Sequence, residues 1–319
     1  MLTKKIIGKN RINSQSDSFK LIKERLVLNQ KIASKDLNKT IITQYILASA
    51  SSEQITFNQK ISNLLKKETS ILKKLTQNAI YKQTDYLIFS ATVKQQDLVL
   101  LQLKQQYQNN MALLNYLSGE TDTTFVHLKK PEITLKNSRS SEKIVFLKQF
   151  EVDSLKLQNQ NKFIDYSYKP SLSLLGDAGY NSSFAYQAHK NFGFSVGLGL
   201  SIPIYDGNQS TLQHQKNDAA LATNLAYKSN FNKQYQQQLL MLNLNLKQST
   251  AVENQLQSQL LIAEALIEAN KKLLLTGDSQ ITEYSIAVGN LIAIKNAISQ
   301  NNSNKLQIIN EINYWSFND

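Results

Sequence analysis

The stretch from Phe192 to Asn208, FGFSVGLGLSIPIYDGN, alternates without a break. Phe192, Phe194, Val196, Leu198, Leu200, Ile202 and Ile204 are apolar, and between them stand Gly193, Ser195, Gly197, Gly199, Ser201 and Pro203. Period-two alternation puts the first set on one face of a strand and the second on the other. The segment before it, KPSLSLLGDAGYNSS, alternates in part through Leu172, Leu174, Gly176, Ala178 and Tyr180, with Pro170 at its entry, where a strand tolerates a proline. The pattern predicts a β-hairpin over 171–204 joined by the polar loop NSSFAYQAHKN. Each arm is long enough to cross a bilayer as a tilted strand, which needs ~9–11 residues.

The chemistry of the two faces narrows the reading. A soluble sheet shows Lys, Glu and Thr to water, whereas here the second face is Gly and Ser and the first is continuously apolar. That combination suits lipid on one side and a crowded or water-filled interior on the other. A soluble sheet with one buried face is the commoner use of such strands. Against it, the rest of the chain offers no further strands, and a lone hairpin is barely stable in water. Partner strands are therefore expected from sister subunits.

Elsewhere the chain is of another character. Six of its ten glycines and two of its three prolines fall between Pro170 and Gly207, and a chain so poor in breakers elsewhere is expected to be built of long helices. Apolar residues recur at steps of three and four: Phe19, Ile22, Leu26; Leu37, Ile41, Tyr45, Ala48; Leu103, Tyr107, Met111, Leu114; Tyr235, Leu239, Leu242, Leu246; Leu256, Leu260, Ala263, Ile267. Narrow stripes of this kind are the signature of coiled-coil-like helices. A helix from Gln209 to about Leu275 would run roughly 100 Å. The expected organisation is a first helical hairpin over 1–118, a linker over 119–142, and a second half over 143–319. That second half holds a shorter helix, the strand pair, and a long helical hairpin over 208–315.

The two halves repeat. KKLTQNAIYKQTDY (Lys73 to Tyr86) and KKLLLTGDSQITEY (Lys271 to Tyr284) match at a constant offset of 198 residues, and IIGKN from Ile6 parallels IYDGN from Ile204 at the same offset. A period this long marks a duplicated half-protein, not a solenoid. The first residues correspond to the end of the second-half strand, so a first-half counterpart of Pro170–Tyr205 is not expected.

YKPSLSLLGDAGY, FSVGLGLSIPIYDGN and the two turn segments NAIYKQTDYLIF and TGDSQITEYSIAV, set in order among long helices, resemble the TolC-type outer-membrane efflux proteins over nearly the whole chain. The resemblance implies a mainly α fold with a β-hairpin. Coiled-coil-like helices would form a periplasmic tunnel, and the hairpin would be contributed to a transmembrane β-barrel in a homotrimer. It implies a passive export duct of a tripartite efflux or type I secretion system, with a periplasmic adaptor, an inner-membrane pump and outer-membrane lipid as partners. The implied place is the cell outer membrane with a periplasmic extension. Family members carry an export signal and two hairpins per subunit. Here MLTKKIIGKNRINSQ is basic with no apolar core behind it, no run reaches transmembrane-helix length, and one hairpin per chain supplies six strands to a trimer. An N-terminally truncated member is the expectation.

The resemblance also places a periplasmic gate at the helical turns. Its candidates are Glu283, Asp85 and the turn glycine Gly277; a second acidic position of the family is Ile286 here. Three carboxylates around an axis would favour cations. Alternatively, Glu283 and Asp85 are solvated carboxylates that stabilise helix ends. Lipid-facing candidates are Phe192, Phe194, Val196, Leu198, Leu200 and Ile202. Asp206 and Gly207 form the strand-to-helix turn, glycine supplying a backbone conformation other residues disfavour. Tyr180 and Tyr205 are either interfacial anchors or packing residues. His127, His189 and His214 have no ligand-like spacing. No cysteine is present, and no nucleophile elbow, phosphate loop, dinucleotide fingerprint or metal-ligand cluster appears, so no catalytic residue, cofactor or metal is expected. The net charge of +12 suits anionic partners. The lysines, however, are scattered along helices without gathered aromatics, which weighs against nucleic acid. A soluble helical scaffold and a non-functional channel fragment are the remaining alternatives.

Overall fold

A computed structural model describes residues 2–6, 8–121, 128–135, 145–180, 192–276 and 280–316. In chain order these form β1 (Leu2–Ile6), α1 (Lys9–Gln77), α2 (Gln83–Ser118), α3 (Val145–Ser167), β2 (Ser171–Tyr180), β3 (Phe192–Ser201), α4 (Gln209–Thr276) and α5 (Ile281–Trp315). The fold is mainly α with one small antiparallel sheet.

The helix lengths follow from what the chain lacks. Between Gly8 and Gly119 there is neither glycine nor proline, so α1 keeps its ladder of hydrogen bonds for 69 residues. α2 ends where the first breaker appears: Gly119 adopts φ 79°, and Glu120 N–H donates to Asn115 O at 2.8 Å. That is the left-handed C-terminal cap glycine favours. In the second half, α4 runs for 68 residues on the same grounds.

The chain divides into two compact units, Met1–Ile32 with Ser141–Gln234 and Asn318–Asp319, and Ala33–Ser140 with Tyr235–Phe317. The first unit holds the sheet, α3 and the opening segments of α1 and α4. Its helices are joined largely through polar side chains. Ser14 Oγ donates to Asn159 Oδ1 at 2.7 Å, and Asn159 Nδ2 donates back to Ser14 O at 2.8 Å. Asn217 Nδ2 donates to Leu157 O, and Asn224 Nδ2 to Phe150 O. Phe231 packs its ring 5.6 Å from that of Phe150. The apolar run Phe19, Ile22 and Leu26, expected to be a packing stripe, is exposed here. The helix turns Ser14 and Leu28 inward instead.

The second unit is where the apolar stripes are buried. Leu260, Ala263 and Ile267 of α4 join Leu65, Leu72, Tyr81, Phe89, Leu274, Ile281 and Tyr284 in one cluster, while Tyr107, Met111 and Leu114 of α2 join Ala48 and Ile55 in another. Polar residues are sunk between these clusters and paired: Gln96 Nε2 donates to Asn58 Oδ1 at 2.8 Å, and Asn110 Nδ2 to Ser51 Oγ at 2.8 Å. Satisfied buried amides fix the register of neighbouring helices, because a slip would strand them.

The sheet corrects the expected strand inventory. Leu2–Ile6 forms a third strand, antiparallel to β2, and the order is β1-β2-β3. At the 198-residue offset β1 corresponds to Leu200–Ile204, which overlaps β3 only at Leu200 and Ser201. The five residues were too few, with two lysines among them, to show alternation by themselves. β3 in turn stops at Ser201, short of the expected residue 204. Pro203 has no N–H to donate, and the ladder closes with Ser171 opposite Ser201.

Candidate functional site

Three places carry the sequence-derived candidates: the sheet, the turn into α4, and the two turns between long helices.

Cross-strand register sorts the sheet residues by face, since directly opposed residues point the same way. Leu172 opposes Leu200, Leu174 opposes Leu198, Gly176 opposes Val196, Ala178 opposes Phe194 and Tyr180 opposes Phe192. β1 extends this face with Leu2, Lys4 and Ile6. Among the described residues no helix covers it. Phe194 is 80% exposed and Leu198 69%, with Phe192, Val196, Leu200 and the adjoining Ile202 similarly bare. Leaving such side chains in water forgoes about 1.5–3 kcal/mol each. A contiguous apolar surface of this kind is built for lipid or another chain.

The opposite face pairs Ser171 with Ser201, Ser173 with Gly199, Leu175 with Gly197, Asp177 with Ser195 and Gly179 with Gly193. Gly199 is crowded from within the chain. A Cβ there would meet Ser173 Oγ at 3.0 Å and Leu175 Cδ1 at 3.4 Å, and Ser173 Oγ already donates to Gly199 O. Gly179 and Gly197 face open space.

The turn into α4 is a self-contained cap. Gly207 and Asn208 both lie in the left-handed region, at φ 61° and 62°, and fold the chain back so that Asp206 reaches the helix start. Asp206 Oδ1 accepts from Asn208 N–H at 3.0 Å and Oδ2 from Ser210 N–H at 3.1 Å, satisfying donors that a helix N-terminus leaves open. Tyr180 packs edge-on against Phe192, and Tyr205 is exposed. His214 lies between Asn161 Oδ1 at 3.2 Å and Asp165 Oδ1 at 3.0 Å. His127 and His189 fall outside the described residues.

At the α1–α2 turn, Ile80 N–H donates to Leu75 O and Ala79 N–H to Thr76 O, with Ala79 at φ 60°. This is a Schellman cap held by a residue with a Cβ. Asp85, in the first turn of α2, accepts the Lys82 backbone N–H at 3.1 Å. Tyr81 Oη donates to Leu274 O at 3.1 Å, joining this turn to the end of α4. At the α4–α5 turn, Gly277 lies outside the described residues. Glu283 is exposed in the first turn of α5, and Ile286 is exposed nearby. Among the described residues no hydrogen bond joins Asp85 to Glu283. Asp85 acts as a helix cap; Glu283 points into solvent.

Two residues here carried no sequence signal. Tyr284 is fully buried with its ring 5.9 Å from Phe89, and its hydroxyl has no protein partner; burial, with Glu68 and Glu268 nearby, pushes that phenol up. Glu68, 2% exposed, has an unpartnered Oε2. Burial pushes its carboxyl above the usual range, against the opposing pull of Lys271 and Lys67. One glutamate beside an apolar stripe is indistinguishable in sequence from a solvated one.

Among the described residues no helix is long and apolar enough to cross a membrane, and no group of side chains could hold a metal ion. No protein-family model and no curated protein matches the chain. Solved structures do. The outer-membrane channel OprN superposes with a TM-score of 0.80 at 14% identity, covering 98% of this chain and 73% of its own. A membrane protein from Pseudomonas aeruginosa gives 0.82 at 13%, covering 98% and 72%. The CmeC outer membrane channel of Campylobacter jejuni gives 0.79 at 12%, covering 98% and 69%. The fold is that of the TolC-like outer-membrane channels.

Proposed function

We propose that this chain is a subunit of an outer-membrane export channel. In this reading three copies assemble, their strands line a barrel in the membrane, and their long helices form a duct on its periplasmic side. The observation that carries the reading is the bare sheet face, apolar along β2 and β3 with Lys4 at its β1 edge, set back to back with a face of Gly, Ser, Leu175 and Asp177 along the same two strands. In water such a sheet is a liability; in a bilayer the first face meets acyl chains and the second meets the lumen. Strand edges in lipid must be paired by closure. The described strands of one chain leave β3 without a neighbour on its far side, and sister chains supply what closure needs. The exposed apolar residues Phe19, Leu26, Leu240 and Leu261 on α1 and α4 are the matching seams for neighbouring subunits along the helical part.

The work done is passive: the channel binds no cofactor, and cargo and driving force come from a pump and adaptor on the inner side. At the helical turns Glu283, repeated by three-fold symmetry, presents three carboxylates to the axis and selects cations. Asp85 serves its own helix, and Gly277 stands in sequence where Ala79 stands in the first half.

The face assignment is tested by placing one lysine on each side of β3. Leu198→Lys puts a charge in hydrocarbon at about 2–4 kcal/mol near the midplane, and is expected to abolish recovery of detergent-resistant trimers from outer membranes. Ser195→Lys points to the lumen and leaves assembly intact. Equal tolerance of both overturns the lipid-facing assignment, and a wild-type chain found wholly in the soluble fraction would favour a helical scaffold. For the gate, Glu283→Ala is expected to shift the reversal potential of reconstituted channels towards lower cation selectivity.

A further inference from the structure

We propose that the cavity where the sheet joins α1 and α3 is a binding site for the phosphate-bearing headgroup of an anionic phospholipid. The inference rests on the lipid-facing reading of the sheet and supplies the chemistry of its helix-side rim. All three strands meet the helices at this end: β1 leaves at Ile6, β2 enters at Ser171 and β3 leaves at Ser201. Ile6, Leu172 and Leu200 stand side by side there, the row of the bare face nearest the helices. The cavity begins at that row. It holds about 360 Å³ and is lined by Ile6, Gly8, Lys9, Arg11, Tyr166 and Lys169, with three small polar or proline neighbours. That volume is within the ~300–1,000 Å³ of small-molecule sites.

Three cations converge on this space unneutralised. Among the described residues no carboxylate lines the cavity, and Lys9, Arg11 and Lys169 form no ion pair. Lys169 Nζ lies 5.2 Å from the centre of the Tyr166 ring, which orients the ammonium without cancelling its charge. Residues 1–17 and 161–171 together contain six cations and two carboxylates. Both carboxylates are engaged elsewhere, Asp17 with Lys20 at 3.2 Å and Asp165 with His214 at 3.0 Å. The duplicated half does the opposite. At the 198-residue offset Gly8, Lys9 and Arg11 become Asp206, Gly207 and Gln209. There the chain supplies its own anion, the Asp206 carboxylate that accepts from Asn208 and Ser210 N–H. Here that carboxylate is missing, a Cβ at Gly8 would meet nothing within 4 Å, and two cations flank the opening. The site lacks only the anion.

The surroundings choose the anion's class. A guanidinium and two ammonium groups suit phosphate oxygens. The cavity borders the bare apolar face, so a headgroup seated in it can lay its acyl chains along the exposed Ile6 and Leu2 of β1. A soluble nucleic acid or acidic peptide would gain nothing from that face. Tyr166 in the cavity wall and the exposed Tyr205 just past β3 match the aromatic belt of a membrane interface, where basic pockets gather anionic headgroups.

The full-length protein in a neutral detergent is titrated with dioctanoylphosphatidylglycerol, dioctanoylphosphatidylcholine and glycerol phosphate, and bound molecules are counted by native mass spectrometry. The wild type is expected to bind the anionic lipid about tenfold more tightly than the zwitterionic one at low salt, and less selectively at high salt. Arg11→Gln with Lys169→Gln is expected to abolish that preference. Lys23→Gln with Lys156→Gln, the same change of charge farther along α1 and α3, is expected to leave it within about twofold. Equal loss in both double variants overturns the proposal as a bulk-charge effect. Glycerol phosphate bound as tightly as phosphatidylglycerol overturns it in favour of a soluble phosphate ester. Equal binding of the two lipids by the wild type overturns this site and leaves the lipid-facing sheet standing, whereas binding of neither overturns both. Arg11 is half-buried. If circular dichroism shows its variant misfolded, Lys9→Gln with Lys169→Gln, both exposed, repeats the comparison with the same expected loss of preference.

Discussion

The two halves of the chain place different residues at matching positions where their long helices join. In the first half the helix end is closed by Ala79 in the left-handed region, a carboxyl is buried at Glu68, and an aromatic ring fills the core at Phe89. At the 198-residue offset these positions are Gly277, Leu266 and Ala287. The second half thus has the residues expected of an unstrained apolar turn, while the first carries a strained Cβ, an unpaired buried acid and a larger core side chain. At the strand-to-helix turns the contrast reverses: Asp206 caps α4, and its counterpart is Gly8. Duplication supplied one backbone plan, and each copy carries its own defects and its own compensation.

Exchanging matched residues breaks or sharpens this contrast, and the largest effect is expected at the core. Phe89→Ala, which installs the second-half residue, removes a fully buried ring and is expected to cost about 3–5 kcal/mol in denaturant unfolding. A loss below about 1 kcal/mol would mean the first-half turn does not depend on its larger core residue. Next is Glu68→Leu. Glu68 titrates with a raised pKa in the fold, so its neutral form is tolerated at low pH, and stability is lost as pH rises through that raised value. The leucine variant is expected to gain about 1–3 kcal/mol at pH 8 and little at pH 4. Melting temperatures at the two pH values read this directly, and an equal gain at both would show that the fold leaves the Glu68 carboxyl unshifted.

Ala79→Gly comes third, relieving a left-handed Cβ for an expected gain of about 1 kcal/mol; unchanged stability would mean the turn relaxes without help. Smallest is Asp206→Gly. It gives the second strand-to-helix turn the residue of the first, and glycine retains most of a capping residue's benefit, so a few tenths of a kcal/mol are expected. Hydrogen exchange at Ser210 is the sensitive readout, since Asp206 Oδ2 accepts that amide. Protection there should fall even where the melting temperature barely moves.

Much of the architecture was legible because it rests on periodicity. The strand pair, the four longest helices and the duplication follow from alternation, three-four stripes and the near absence of breakers. What escaped was of three kinds. β1 was invisible because five residues with two lysines show no pattern until β2 is beside them. The stripe at Phe19, Ile22 and Leu26 marks a packing face, but a helix has no means of announcing whether such a face meets its own chain or another. The polar pairs Ser14–Asn159 and Asn58–Gln96 join residues far apart in sequence. Either partner alone reads as a surface residue.

The sequence by itself determined which segments are helix and strand and which strand face is apolar, because those are properties of spacing along one chain. Only the tertiary structure decided which apolar faces remain bare, that Asp85 caps a helix while Glu283 is exposed, and that Glu68 is buried with its Oε2 unpartnered. Burial is set by what arrives from distant parts of the chain. A carboxylate's chemistry is set by the water that arrival removes.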